Sequence, residues 1–404
     1  MSTERRPRGP LRTLHVACMP FPTPQGTQAI VGMMLRALRA HGHDATLLTY
    51  AHGEPGDPGQ PTLEPVRLAD WPRVRSARSG PSLGKVALDL RMVAAVRAQL
   101  RRAPVDLVVA HNVEAAWVCA AESSTPGSSR APWVYYAHTS MRAELPYYLP
   151  ASARGAARVA GDVLDRGACV RSAAVFALTP TLAQRHANTH PLVSTVLPPF
   201  ELPTTQPPSR ADACAHLGLP ADARVAVYAG NLDAYQGAEQ LIEALHVASL
   251  PWHLLVATAS DPAPLAALAA ARGVGQRVSF APLATEHDRA TAHAAAELAL
   301  VPRSAPGGLP IKLLDALARG VPVVAARRAL AGVALGHAVT VVADDDPRAL
   351  ASGVERALHA PSAPSPMLPQ RALAAAGFTA PVFAARFERD CRAALMRVSR
   401  RSAW

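Results

Sequence analysis

The sequence predicts an α/β protein made of two Rossmann-like, doubly wound domains, and three observations predict it. The chain has 404 residues, too many for one ordinary core and suited to two domains of about 150–200 residues each. Short apolar runs alternate with segments of helical period, the order that builds a parallel sheet covered by helices. That alternation runs twice and is interrupted once by ELPTTQPPSR, a polar stretch with three prolines that reads as a linker.

In the first half, LHVAC (14–18) is a strand, the Pro-rich loop MPFPTPQGTQ follows, and AIVGMMLRALRAHGH is a helix with Gly42 as its C-cap. DATLLTY is the second strand. Residues 52–84 are Pro/Gly-rich and predict an irregular excursion carrying Arg67, Arg73, Arg75 and Arg78. LGKVALDLRMVAAVRAQLRR has helical period, VDLVVAHN and PWVYYAHTS are buried strands, and two helical stretches are expected near 150–170. AAVFALTP, TLAQRHA and VSTVLPPF close this half as strand, helix and strand. The first domain is therefore 1–200 and the linker 201–220.

The second domain, 221–377, restarts the pattern. RVAVYAGNL, WHLLVATAS, RVSFAPL, LALVPRS, PVVAA and AVTVVAD are strands. GAEQLIEALHVA, PLAALAAARGV, TEHDRATAHAAA, IKLLDALARG and PRALASGVERALHA are helices. APSAPSPMLP is a low-complexity break, and 378–404 is a final helix that could pack back on the first domain. Two such domains on one linker predict a facing cleft, with ligands outside the carboxyl ends of the strands.

Composition narrows the class. Half of the residues are apolar and only 5% aromatic, so Ala, Leu and Val must fill two cores. No window supplies about 18 apolar residues free of charge, so no membrane-spanning helix is expected. The basic N-terminus reads as a short tail entering the first strand, not as a signal peptide. Five scattered cysteines without a CxxC pair argue against a disulfide framework or a zinc knuckle and favour a reducing, cytoplasmic compartment. The net charge of +11 is lopsided: residues 1–200 hold 22 basic against 13 acidic residues, the rest 19 against 17. A basic first half suits an anionic substrate or membrane surface; arginine spread over solvated faces explains it equally well.

Four loops directly after strands can carry chemistry. In PFPTPQGTQ, Gly26 opens a helix and Thr27 can cap it, and the N–H groups of a helix start attract an anion; a plain turn glycine is the alternative. His111, with Asn112, in VVAHNVE and His138 in VYYAHTS each follow a strand. There a histidine can exchange a proton or hydrogen-bond a sugar hydroxyl, or serve only as a core residue. In LVPRSAPGGLPIKLLDALARG, Gly307 and Gly308 allow close backbone approach, Leu309 and Pro310 lead into a helix, and Arg303 and Lys312 flank the loop. A helix start beside two cations suits a diphosphate. The chain has two lysines, Lys85 and Lys312, so a lysine here in an arginine-rich sequence points to a need for a compact ammonium. Asp315, one turn on, can accept from ribose or sugar hydroxyls or pair with Lys312.

At these residues the chain resembles the retaining glycosyltransferases of family 4, which have the GT-B fold, over nearly its whole length. The carriers are P-x-x-x-G-T at 22–27, VYYAHTS, LGLPADARVAVYAGNLDAYQGAEQLIEAL and PRSAPGGLPIKLLDALARGVPVVA, of which the last is the specific one. The family signature usually has two glutamates eight positions apart; here Gly307 and Asp315 stand there. Its entry loop commonly has an Arg and, five residues later, a Lys on the donor diphosphate; here they are Asn231 and Gln236. Arg303 and Lys312 are then expected to supply the missing charge.

The resemblance implies transfer of a sugar from a nucleotide-diphosphate sugar with retention at the anomeric carbon and no obligatory metal or other cofactor. It implies His138, Lys312 and Arg303 as catalytic residues. Gly26, Thr27, Asn231, Gln236, Gly307, Gly308, Leu309, Pro310 and Asp315 fall on the donor side, and His111 and Asn112 on the acceptor or sugar side. The expected partners are the donor and an acceptor of unknown identity, anionic or lipid-linked if the basic excursion with Lys85 contacts it or the inner membrane face, and not nucleic acid. A role in glycan, glycolipid or glycosylated-metabolite biosynthesis follows. The rival is a catalytically silent GT-B protein that binds nucleotide-sugar or a partner enzyme. A third reading, a nucleotide-sugar epimerase or a phosphorylase, is disfavoured for the phosphorylase because the only other lysine lies in the first domain.

Overall fold

The computed structural model describes residues 9–23, 26–53, 63–69, 83–220, 222–303, 305, 308–359 and 367–401. It divides into two units, Met1–Pro199 with Ala380–Trp404, and Phe200–Thr379.

The first unit contains, in chain order, β1 (Arg12–Ala17), α1 (Gly26–Ala40), β2 (Asp44–Thr49), β3 (Val66–Arg67), α2 (Leu83–Arg102), β4 (Leu107–His111), α3 (Asn112–Ser124), β5 (Trp133–Ala137), α4 (Met141–Glu144), α5 (Arg154–Arg171), β6 (Val175–Ala177), α6 (Pro180–Ala187) and β7 (Val193–Thr195). Its seven strands run parallel in the order β3-β2-β1-β4-β5-β6-β7. Every residue of β4, β5 and β6 is buried. That is why these strands read as unbroken apolar runs: helices cover both faces of a parallel sheet. The strand order reverses between β1 and β4, and at that switch Ala17 pairs with His111 and His111 with Tyr136.

The second unit contains α7 (Arg210–His216), β8 (Val225–Ala229), α8 (Ala238–Val247), β9 (His253–Thr258), α9 (Ala263–Ala271), β10 (Val278–Pro282), α10 (Glu286–Ala294), β11 (Leu298–Val301), α11 (Ile311–Ala318), β12 (Val323–Ala326), β13 (Val339–Val342), α12 (Pro347–Leu358) and α13 (Met367–Ala376). Its sheet is parallel in the order β10-β9-β8-β11-β12-β13, so its switch lies between β8 and β11. The chain then enters α14 (Ala380–Arg401), which packs on α1 in the first unit. Phe383 and Phe387 of α14 are buried there, and Arg386 donates from Nη1 to the Thr195 carbonyl at 3.3 Å.

Four local differences from the sequence expectation have physical causes. The stretch 201–220 is not all linker: Ser209 accepts from the Asp212 N–H and so starts α7. The region 150–170 is a short 3-10 turn, Ala151–Ala153, running directly into one long helix, α5, which no proline interrupts. The break at 360–369 yields to α13 from Met367, since Pro369 lies in a first turn where its missing N–H costs nothing, and Gln370 Nε2 donates to the Ala318 carbonyl at 2.8 Å. Within the excursion, Val66–Arg67 adds a parallel strand to β2. Arg73, Arg75, Arg78 and Gly307 lie outside the described residues.

Candidate functional site

The loops after β8 and β11 flank the switch point of the second unit, and they touch. Ala305 N–H donates to the Tyr235 carbonyl at 3.4 Å. Gly237, at φ +72°, sits so close to the Pro302 carbonyl oxygen that a Cβ would lie 2.6 Å from it. Pro310 is the N-cap of α11, and its carbonyl accepts from the Leu313 N–H at 3.1 Å, closing the first turn. Lys312, in that first turn, turns its side chain into the loop after β8. Its Nζ donates to Tyr228 Oη at 2.7 Å and to Gln236 Oε1 at 3.0 Å, and it lies 4.1 Å from the Tyr228 ring centroid. Tyr228 is fully buried and donates its own proton to the Asn231 carbonyl, so it is oriented to accept from the ammonium.

Gly230 makes room for that lysine: at φ +155°, a Cβ there would lie 2.6 Å from Nζ. Burial pulls the Lys312 ammonium down to about 7, Arg303 adds to the fall and Asp233 opposes it. Arg303 lies over the Tyr235 ring at 5.5 Å. The hydrogen-bond partners of Lys312 are thus a phenol and an amide, both neutral, and among the described residues no carboxylate forms an ion pair with it. The cation is positioned before any anion arrives.

Asn231 is tied by Nδ2 to Asp233 at 2.7 Å, while Gln236 is buried and offers its amide oxygen to Lys312. Asp315 does not pair with Lys312. Its Oδ1 accepts from Arg319 Nε at 3.0 Å, and Arg319 also reaches Glu286 at 2.8 Å, because residue 319 lies one turn on along the same helix side. Gly308 and Leu309 lead into Pro310, with Leu309 buried.

In the first unit the strand-end histidines join a buried chain. His138 Nε2 lies 2.9 Å from His111 Nδ1, and His111 Nε2 lies 2.9 Å from His15 Nδ1. His15 Nε2 lies 3.1 Å from Thr13 Oγ1. All four residues are buried, and the Tyr136 and Phe387 rings pack against the imidazoles. Burial holds His15 and His138 at about 3 and His111 well below its ordinary value, where His138 and His15 depress it further. All three are neutral at physiological pH. None of these three imidazoles is therefore a general base titrating near neutrality.

Asn112 opens α3 at φ +66°, a left-handed conformation uncommon for asparagine, with Oδ1 buried and without a hydrogen-bond partner among the described residues. It lines a small polar pocket with Glu114, Thr139 and Glu144. Burial pushes the Glu114 carboxyl up to about 7; a backbone hydrogen bond opposes the rise, and Glu144 and Asp89 add to it. Gly26 is the first residue of α1, so Thr27 lies inside the first turn and is not its N-cap. Arg67 donates from Nη1 to the Phe21 carbonyl at 2.8 Å and clips the loop after β1. Lys85 acts on Asp89 and Glu114, both on the inner side of the unit.

Tyr228, Gly230, His15 and Glu114 escaped the sequence reading. Glu114 was legible in VVAHNVE, two residues past Asn112. His15 sits mid-strand, where spacing carries no signal. The Asp344–Asp346 triplet, also passed over, is engaged locally: Asp344 and Asp345 hold Arg328, and Asp346 caps α12. Among the described residues no cluster of three or more His, Cys, Asp or Glu is arranged to hold a metal, and no helix is long and apolar enough to cross a membrane.

The family model described as glycosyltransferase family 4 matches residues 24–200, and that described as glycosyl transferases group 1 matches 210–371. D-inositol 3-phosphate glycosyltransferase 1 of Catenulispora acidiphila is 30% identical over 351 residues, covering 80% of this chain and 81% of that protein. Among solved structures, sucrose-phosphate synthase from Thermosynechococcus elongatus superposes with a TM-score of 0.75 at 20% identity, over 95% of this chain and 98% of that one. Anabaena HepE, in complex with UDP and glucose, superposes at 0.71 and 17% identity, over 95% and 100%. These are GT-B structures, two Rossmann-like domains with parallel sheets, as here.

Proposed function

The chain belongs to the group 1, family 4 glycosyltransferases, and on that premise we propose that it moves a sugar from a nucleotide-diphosphate sugar to a hydroxyl acceptor with retention at the anomeric carbon. The observation that carries this reading is Lys312: an ammonium seated at a helix start and hydrogen-bonded to a neutral phenol and a neutral amide, its seat made by Gly230. Such a group gains most when a diphosphate arrives, and more as the glycosidic bond breaks. In that step the bond from the anomeric carbon to the β-phosphate oxygen breaks and its electron pair stays on the phosphate. The acceptor oxygen bonds to the same face of the carbon, and its proton goes to the departing phosphate. Lys312, Arg303 and the N–H groups of α11 take the charge that a metal would otherwise neutralise. Asp315, Asn231 and Gln236 line the donor side, and His138 meets a sugar hydroxyl.

For the acceptor, the inositol phosphate in the name of the Catenulispora relative supports a polyhydroxylated molecule. In the first unit, Asn112, Glu114, Thr139 and Glu144 suit hydroxyls. Two carboxylates disfavour a phosphate at that pocket itself.

The test is a thermal-shift panel of nucleotides and nucleotide-sugars, followed by transfer to polyol acceptors with the anomeric product read by proton NMR. The expected result is stabilisation by one nucleoside diphosphate series and a product of unchanged configuration. A donor that binds and is neither hydrolysed nor transferred to any acceptor would make the protein a silent binder. Inversion would overturn the retaining step alone.

A further inference from the structure

We infer that His15, His111 and Thr13 are positioning residues that fix His138 in the tautomer whose Nδ1 is a bare hydrogen-bond acceptor. The inference rests on His138 as the residue that meets the sugar, and it adds which kind of group His138 can meet.

Each neutral imidazole has one N–H and one lone pair, and each of the three contacts needs one of each. Only two concerted arrangements exist. In one, Thr13 donates to His15, His15 to His111 and His111 to His138, which leaves His138 Nδ1–H buried with no acceptor. In the other, every bond reverses. His138 Nε2–H donates to His111 Nδ1, His111 Nε2–H to His15 Nδ1, and His15 Nε2–H to Thr13 Oγ1. The Thr13 hydroxyl then gives its proton to the Asp44 carbonyl, 3.5 Å away, a group that can only accept.

The second arrangement gives every donor an acceptor, although its last bond is long. Its only unpaired atom is the His138 Nδ1 lone pair, and of the six ring nitrogens of His15, His111 and His138 only Nδ1 of His138 has no partner among the described residues. The first arrangement instead orphans a buried N–H, the costlier defect. Stacking keeps the rings in register: His15 lies between His111 and Phe387, with ring centroids 5.2 and 5.9 Å away. With Nδ1 bare, His138 accepts from a hydroxyl donor and does not donate to an oxyanion. Any group that reaches this buried nitrogen must therefore bring a proton, as a sugar hydroxyl does and an ionised phosphate or carboxylate oxygen does not.

The test uses the full-length protein labelled with 15N-histidine, without ligand. The 15N resonances of His138, assigned with a His138→Gln variant, tell a protonated from a bare ring nitrogen. The expected result is a bare Nδ1 and a protonated Nε2. Thr13→Val keeps the shape of the strand and removes the hydroxyl at the far end. It is expected to shift His138 toward protonated Nδ1 and to lower kcat/KM by about tenfold, while Thr13→Ser restores both. A protonated Nδ1 in the wild type, or a His138 tautomer unmoved by Thr13→Val, overturns the inference. The tautomer is read without turnover, so the two readings fail separately. Should the resonances shift as expected while His138→Gln transfers at the wild-type rate, the chain stands and the role of His138 in transfer falls.

Discussion

Two buried polar clusters sit at the switch points of two similar sheets, and they are completed in opposite ways. In the second unit, Lys312 is a cation with neutral hydrogen-bond partners, held near 7 by burial and Arg303 against the pull of Asp233; it is short of a hydrogen-bonded anion. In the first unit, the Thr13–His15–His111–His138 chain is neutral, with burial holding its imidazoles far below neutrality; it is short of one donor. The same physical cause, burial against the charged form, acts on both. It leaves the lysine able to regain its charge when a diphosphate binds and leaves the histidines locked. The difference separates charge stabilisation from hydroxyl recognition.

The sharpest way to break the comparison is Lys312→Met. If the second cluster exists to meet an anion, this variant loses transfer by about 10²–10³-fold and loses nucleoside diphosphate binding by calorimetry, with thermal stability unchanged or raised. Unchanged binding would remove Lys312 from the donor site.

Gly230→Ala should act next most strongly. Its Cβ would meet Nζ at 2.6 Å and Cε at 2.9 Å, displacing the ammonium, whereas Gly42, also at positive φ, has open space around its Cβ. Gly42→Ala is expected to cost about 1 kcal/mol of stability and leave kinetics alone. Gly230→Ala should lower kcat/KM by about tenfold or more. Equal kinetic effects of the two would show that strain and not displacement matters.

A pH profile contrasts the clusters directly. The active ammonium form of Lys312 is full below about 7 and is lost as pH rises through it, so kcat/KM for the donor should fall above about 7. A bound diphosphate favours the charged form, so the fall in kcat should lie at higher pH, with proton uptake on binding. No limb between pH 5 and 7 should come from His15, His111 or His138. A limb there that vanishes in a His138 variant would contradict their locked neutrality.

A separate effect is on stability. Folding lowers the Lys312 pKa from 10.5 to about 7, so between these values the unfolded chain binds more protons, and this group makes stability rise with pH. Chemical denaturation of the wild type and of Lys312→Met across pH 7–10 should show a shallower rise in the variant.

Much of the fold was legible because parallel strands buried on both faces, such as LVVAH and WVYYA, read as unbroken apolar runs between helices. The missed helix α13 followed a Pro-rich stretch that masked its start, and α7 hid inside a polar linker. At the site, Lys312 was legible as a lysine in an arginine-rich chain next to a Gly/Pro loop. Its partners were not. Tyr228 and Gly230 lie more than 80 residues upstream and meet it only through the pairing of β8 with β11. For the same reason His111 and His138 could be noticed one at a time, while His15, on the neighbouring strand, gave no sign that the three form a line. For Asp315 the sequence offered sugar hydroxyls or Lys312 as partners, whereas the i, i+4 neighbour Arg319 holds it.

Helix α14 carries a consequence for biosynthesis. It is made after the second unit, yet Phe383 and Phe387 bury themselves in the unit made before it, with Phe387 stacked on His15. Domains emerging from the ribosome usually fold in order. Here the earlier one must wait, its sheet uncovered beside His15, until the whole of the later one has been translated. A nascent chain arrested before Ala380 should therefore expose an apolar surface on its N-terminal half, even though every strand of that half has already been synthesised.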